Sequence, residues 1–216
     1  MHSTVGRVGF GSVSKAGMAT TVHLIRHGEV ENPKGVVYGR LPGFNLSERG
    51  ERQAKQSAQR LQDADLVAVW ASPLERAQQT AQAIAEPHDL EVTTDDRLLE
   101  SETTLEGLTR DALHFFRTPK EWWHFRNPMR PSWGESFSSI RSRMIEAVKE
   151  AAALADGREV ALVSHQTPVL VARLTLTRRR TPPWLGLTPC ATGSITTLVL
   201  EEDLRVTNAS YFSPPG

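Results

Sequence analysis

The chain has 216 residues, 39% hydrophobic and 23% charged, which suits one ordinary domain with a real core and excludes disorder as the dominant state. Lys and Arg number 25 and Asp and Glu number 25, so the net charge with neutral histidine is zero and the basic excess of a nucleic-acid binder is missing. A single cysteine, Cys190, excludes an intrachain disulfide and points to a reducing cytoplasm, and no apolar run approaches the roughly 18–20 residues of a bilayer span.

Residues 1–17 are Gly/Ser-rich, lack the apolar stretch of a secretory signal, and read as a disordered extension, with Met18 as an alternative start. The Gly-rich run Gly6–Lys15 fits neither the Walker pattern nor the dinucleotide fingerprint. Residues 18–216 read as a single domain. Thr21–Arg26 is a β-rich run, followed by a polar loop holding Pro33, Gly35, Gly39, Pro42 and Gly43. Ser47 is placed to cap a helix running to Leu61, with Ala54, Ala58 and Leu61 on one face. Leu66–Ala71 is a second strand. Pro73 then suits the first turn of a helix whose stripe is Leu74, Ala77, Ala81 and Ile84.

Phe137, Ile140, Met144, Val148 and Ala151 recur at helical spacing and predict a long helix over Glu135–Ala155, ended by Gly157. Glu159–Ser164 is the next strand and Thr167–Leu176 the next helix. Arg178-Arg179-Arg180 reads as a solvated turn. Gly193–Leu200 and Leu204–Ala209 form a final strand pair around Glu201-Glu202-Asp203. Alternating strands and helices predict an α/β domain with a largely parallel sheet. Phe115, Phe116, Trp122, Trp123, Phe125, Trp133 and Phe137 are half of the aromatic residues, interleaved with Arg117, Lys120, Arg126 and Arg130. They read as a local aromatic core, as a cap lining a substrate pocket, or as both.

Ligands of open α/β sheets bind beyond the carboxyl ends of the strands. Arg26 and His27 stand at the end of the first strand, Arg76 follows the second, and His165 follows Glu159–Ser164. Two guanidiniums clamp a phosphoryl group through paired hydrogen bonds. A neutral imidazole between them attacks phosphorus, and a second imidazole, if protonated, stabilises the equatorial oxygens. The set argues against a metal, because two histidines are too few for a closed zinc site and the arginines repel a cation. No cofactor is implied.

The motifs Leu24-Ile25-Arg26-His27-Gly28-Glu29, Gly39-Arg40, Asn45–Ala54, Ser72–Ala81, Leu98-Leu99-Glu100, Gly134-Glu135-Ser136 and Val163-Ser164-His165 occur in order along the chain. Together they resemble the histidine phosphatase superfamily, in its phosphoglycerate-mutase-like branch, over about residues 21–200. The resemblance implies a three-layer α/β/α sandwich with a mostly parallel central sheet and a helical, aromatic cap at about residues 101–133. It implies that His27 is the nucleophile, that Arg26, Arg76 and His165 hold the phosphoryl group, and that Glu100 is the general acid, with Glu102 and Glu106 as competing assignments. That acid role calls for partial burial to raise the carboxyl pKa. Glu29 is expected to support the site by orienting an arginine or histidine.

Two candidate substrate contacts depart from the usual family pattern. Asn32 stands five residues after His27, where the family asparagine usually stands six after. Gln166 stands where glycine is usual, so it either brings an amide toward the phosphate or reshapes the turn. The stretch after Glu100 lacks the common aromatic-glycine step, which predicts altered leaving-group contacts. Pro131–Ser136 resembles the end of a short cap, as in the broad phosphatases.

The expected function is metal-independent hydrolysis of a small phosphorylated metabolite through a phosphohistidine. The alternatives are phosphoglycerate mutase-type transfer and a non-catalytic phospho-ligand binder. Trp122, Trp123 and Trp133 with nearby arginines suggest a sugar phosphate or phosphoglycerate-type ester. Neither nucleic acid nor membrane is expected as a partner, and the chain reads as a monomer or homodimer.

Overall fold

The computed structural model describes residues 19–109, 134–179 and 188–215. Among these residues six strands and four α-helices carry the fold. In chain order they are β1 (Thr20–Arg26), α1 (Glu48–Leu61), β2 (Leu66–Ala71), α2 (Glu75–Ala85), β3 (Val92–Thr94), α3 (Phe137–Ala155), β4 (Glu159–Ser164), α4 (Gln166–Leu176), β5 (Ile195–Leu200) and β6 (Val206–Phe212). The sheet order is β3-β2-β4-β1-β5-β6. β3, β2, β4 and β1 run parallel, while β5 pairs antiparallel with both β1 and β6.

β1 and β4 lie inside the sheet, covered on both faces, and β4 reads as a near-continuous apolar run for that reason, whereas β1 is interrupted by His23, which is buried against Thr197 and Glu159. Val22, Leu24, Val160 and Leu162 pack with Ile140, Met144, Val148, Val169 and Leu170 of α3 and α4. On the opposite face Ile25, Val69, Ala161 and Val163 pack with Ala58 and Leu61 of α1 and Ala77, Ala81 and Ile84 of α2. The result is the expected three-layer α/β fold with a mostly parallel mixed sheet.

Several boundaries differ from expectation for local reasons. α2 starts at Glu75 because Leu74 is extended and caps it, which leaves Pro73 ahead of the cap rather than in the first turn. α3 starts at Phe137 because the Ser136 hydroxyl accepts from the Ser139 amide at 3.2 Å. Its end is a left-handed pair, Asp156 at φ 43° and Gly157 at φ 88°. The three-residue edge strand β3 carries too short a pattern to be read from sequence. β6 runs three residues beyond the expected Ala209. Arg178 and Arg179 are exposed, as a solvated turn requires. Most of the aromatic segment, residues 110–133, lies outside the described residues, as does Arg180. No helix among the described residues is long and apolar enough to cross a membrane.

Candidate active site

Register brings the chemistry to one edge of the sheet. Arg26 pairs with Ser164, so β1 and β4 end side by side. The ladder continues past both ends. The His27 amide donates to the Ser164 carbonyl and the Ser72 amide to the Val163 carbonyl, each at 3.0 Å. His27, Ser72 and His165 therefore leave adjacent strand ends. The rings of His27 and His165 stand 5.0 Å apart.

The turn after β1 is held by close backbone packing. A Cβ on Gly28 would lie 2.4 Å from the Gly50 carbonyl oxygen, and a Cβ on Gly50 would lie 1.9 Å from the Glu29 carbonyl oxygen. Only glycine permits such an approach. The Gly28 amide donates to Thr80 Oγ1 at 3.1 Å, and that hydroxyl donates to the Arg76 carbonyl at 2.8 Å. The turn after β1 and the start of α2 thus share one hydroxyl.

His27 is buried, and its Nδ1 lies 2.6 Å from the Gly28 carbonyl oxygen. A carbonyl only accepts, so Nδ1 carries the proton and Nε2 carries the lone pair. Burial, then the positive charges of Arg76 and Arg26, hold the His27 pKa well below its ordinary value. The imidazole is therefore neutral and able to attack.

Arg76 is wholly buried. Its Nη2 donates to the Gly39 carbonyl at 2.6 Å, and its guanidinium lies over the Tyr38 ring at 4.8 Å. Arg26 Nη1 donates to the Cys190 carbonyl at 2.7 Å. Four buried nitrogens in this cluster have no hydrogen-bond partner among the described residues: Arg26 Nε, Arg76 Nε, Arg76 Nη1 and His165 Nδ1. Unpaired buried donors are costly, so a cluster of them is fitted to an anion rich in acceptors.

Glu100 is partly buried at the same cluster. Its Oε1 accepts from the Ser101 amide at 2.8 Å. Burial pushes its carboxyl pKa up, against the opposing pull of the Ser101 bonds and of Arg26 and Arg76. The competing carboxylates are otherwise engaged. Glu102 pairs with Arg40 at 2.8 Å and is mostly exposed, and Glu106 accepts from the Arg40 amide at 2.6 Å. The raised pKa of Glu100 is what a proton donor needs.

Asn32 spends both ends of its amide on the Val36 backbone, at 2.9 and 3.1 Å. Gln166 is the first residue of α4, directly after the capping residue His165. Glu29 accepts from Ser47 Oγ at 3.2 Å and Arg49 Nη1 at 3.1 Å, so it ties the β1 turn to the start of α1 and orients Arg49. Among the described residues no three His, Cys, Asp or Glu side chains gather as a metal site.

Four contributors to the site carry no assigned role in the sequence reading. Tyr38 stacks on Phe44 at 5.1 Å and borders both His27 and Arg76. Arg40 holds the Glu100 carbonyl. Ser72 touches His165. Cys190, whose thiol is buried, acts through its main-chain carbonyl. Arg40 and Ser72 lie inside the motifs already noted. A backbone acceptor such as the Cys190 carbonyl has no side-chain signature to find.

Comparison with known proteins agrees with this geometry. The sequence matches the histidine phosphatase superfamily (branch 1) over residues 22–210. It is 47% identical over 196 residues to the uncharacterised protein Rv0525 of Mycobacterium tuberculosis, covering 90% of this chain and 96% of that one. It is 33% identical to phosphoserine phosphatase 1 of Hydrogenobacter thermophilus, over 68% of this chain and 71% of that one. It is 32% identical to a 2,3-bisphosphoglycerate-dependent phosphoglycerate mutase of Thermoplasma acidophilum, over 69% and 72%. Among solved structures, phosphoserine phosphatase of Entamoeba histolytica in complex with 3-phosphoglyceric acid superposes with a TM-score of 0.71 at 26% identity, over 90% of this chain and 98% of that one. With the motifs in order, the sheet edge assembled and the match spanning nearly the whole described fold, the chain belongs to the histidine phosphatase superfamily, branch 1.

Proposed function

We propose that the chain is a phosphomonoester hydrolase that acts through a phosphohistidine at His27 on a small phosphorylated metabolite. The observation that carries the proposal is the cluster of four buried nitrogens of Arg26, Arg76 and His165, without hydrogen-bond partners among the described residues, beside an imidazole whose proton is held by the Gly28 carbonyl. In the first step His27 Nε2 forms a bond to phosphorus while the bond to the ester oxygen breaks. Glu100 gives its proton to that oxygen, so the alcohol leaves neutral. The two guanidiniums and His165 take the charge of the equatorial oxygens. In the second step water attacks phosphorus, the N–P bond breaks, and the water proton returns to Glu100. Inorganic phosphate leaves and the starting protonation state is restored.

The named relatives include both phosphatases and a mutase, and both reactions begin with the same phosphohistidine. They differ in whether water or a second hydroxyl receives the phosphoryl group. Hydrolysis is favoured by the short sequence between Glu100 and Gly134, which resembles the cap of the broad phosphatases. The tryptophans that bear on substrate choice, Trp122, Trp123 and Trp133, lie outside the described residues, and a sugar phosphate or phosphoglycerate-type ester is the substrate class we assign to them.

The test is phosphate release from an aryl phosphate in EDTA, wild type against His27→Ala. The proposal predicts chelator-resistant activity that the variant lacks. Interconversion of 2- and 3-phosphoglycerate without phosphate release would replace hydrolysis by mutase transfer. Equal activity in both proteins would overturn the role of His27.

A further inference from the structure

We infer that Ser72 sets the tautomer of His165, so that His165 meets the ligand as a neutral Nδ1–H donor rather than as an imidazolium. Both side chains are fully buried, and His165 Nε2 lies 2.8 Å from Ser72 Oγ. The Leu74 amide already points at that oxygen from 3.4 Å. The one proton of the Ser72 hydroxyl therefore needs an acceptor, and His165 Nε2 supplies it. If Nε2 carried a proton instead, the serine oxygen would face two N–H donors and its own proton would have no acceptor recorded among the described residues. Buried polar groups rarely stay unpaired in that way.

With Nε2 accepting, the ring proton sits on Nδ1. Nδ1 is the buried atom that has no hydrogen-bond partner among the described residues and belongs to the cluster with Arg26 and Arg76. An N–H there attracts a phosphoryl oxygen, whereas a lone pair would repel it. The surroundings oppose a second proton. Burial lowers the His165 pKa, and His27, Arg76, Arg143 and Arg26 add to the effect. His27 and His165 are thus the same tautomer turned opposite ways. His27 spends its Nδ1–H on the Gly28 carbonyl and offers a lone pair. His165 spends its Nε2 lone pair on Ser72 and offers a proton. Ser72 touches no reacting atom in this scheme, so it is a positioning residue.

The inference concerns the same site as the hydrolase reading, and its main test needs no turnover. The full chain is labelled with 15N-histidine, and long-range 1H–15N correlations are recorded near neutral pH, with His165 assigned by loss of its signals in His165→Asn. The expected result is a protonated Nδ1 and a bare Nε2 at His165. Protons on both nitrogens, or on Nε2 alone, would overturn the inference whether or not the protein hydrolyses phosphate esters. Ser72→Ala should mix the two tautomers and lower kcat on an aryl phosphate about tenfold, in line with one lost hydrogen bond. Ser72→Thr should restore both the signals and the rate. An unmixed Nδ1–H signature in folded Ser72→Ala would remove Ser72 from the account. A wild type with the expected signature but without turnover would sink the hydrolase reading and leave the tautomer assignment standing.

Discussion

The rings of His27 and His165 stand 5.0 Å apart at 61° to each other, and neither is exposed beyond 1%. Two buried imidazoles so close, with Arg76 and Arg26 nearby, disfavour a second proton on either ring. Burial is the largest cause of the lowered pKa at each, with Arg76 and Arg26 adding to it at both. The site is therefore set up before substrate arrives, and this costs the fold stability in acid.

The sign of that cost follows from proton uptake. As pH falls through about 6.5, unfolded histidines take up protons while His27 and His165 do not. The unfolded state then binds more protons, so stability falls as the pH drops from there toward the lowered native values. Urea unfolding should give a lower midpoint near pH 5 than near pH 7. A His27→Gln, His165→Gln double variant should lose less stability over the same interval. An equal loss in both proteins would contradict the assignment of two neutral buried histidines.

Glu100 behaves in the opposite direction. Its raised native pKa means that its contribution to stability is fully present below the unfolded value of about 4.3 and is lost as pH rises through the native value. Glu100→Gln should therefore melt above wild type at neutral pH, with the gain shrinking in acid. The same variant should lose about 10²–10⁴-fold in kcat on alkyl phosphates. The loss should be smaller on aryl phosphates, whose leaving oxygen needs less help from an acid. Comparable losses on both classes would argue for a structural role instead.

Arg40 is the clasp of the Glu100 segment. Its Nε donates to the Glu100 carbonyl at 2.7 Å, and its two Nη atoms reach Glu102 and Glu135 at 2.8 and 3.2 Å. Glu135 is held in turn by Arg143, which also donates to the Arg97 carbonyl. Arg40→Ala should cost about 1–2 kcal/mol of stability, mostly from the partly buried carbonyl and from Glu135. It should also lower turnover of alkyl esters about tenfold while sparing aryl esters. Denaturant midpoints and a two-substrate rate comparison separate the two effects.

Gly50→Ala tests the packing that shapes the β1 turn. The new methyl group would meet the Glu29 backbone, which has no flexible end to move away. A loss of about 1–3 kcal/mol is expected from such overpacking, together with reduced activity because the turn carries His27. A variant as stable as wild type would show that α1 shifts freely against the turn.

Much of this was legible in the sequence, because the site is built from residues directly following strands. The β-rich runs of β1, β2 and β4 located the strand ends; Arg26 is the last residue of β1, and His27, Arg76 and His165 lie beyond the ends. The Ser47 cap was legible from its hydroxyl and the helical stripe behind it. β3 was not, since three residues at a sheet edge make no period. Pro73 was misplaced because proline also suits the turn before a cap. The resemblance picks Glu100 over Glu102 and Glu106 through its place after Leu98-Leu99; the burial and the Arg40 contacts that support this choice reach across 60 or more residues and leave no local pattern. Asn32 has the residue type of a phosphate ligand, yet its amide closes a turn with Val36. The Cys190 carbonyl acts on Arg26 from 164 residues away through an atom that every residue has.

The most direct measurement is to quench the protein in alkali after mixing it with a phosphate ester and locate the phosphoryl group by mass spectrometry. The account predicts a phosphoryl adduct on His27 that is stable to alkali, labile to acid and lost in His27→Ala. An adduct on another side chain, or turnover that continues in His27→Ala, would contradict it.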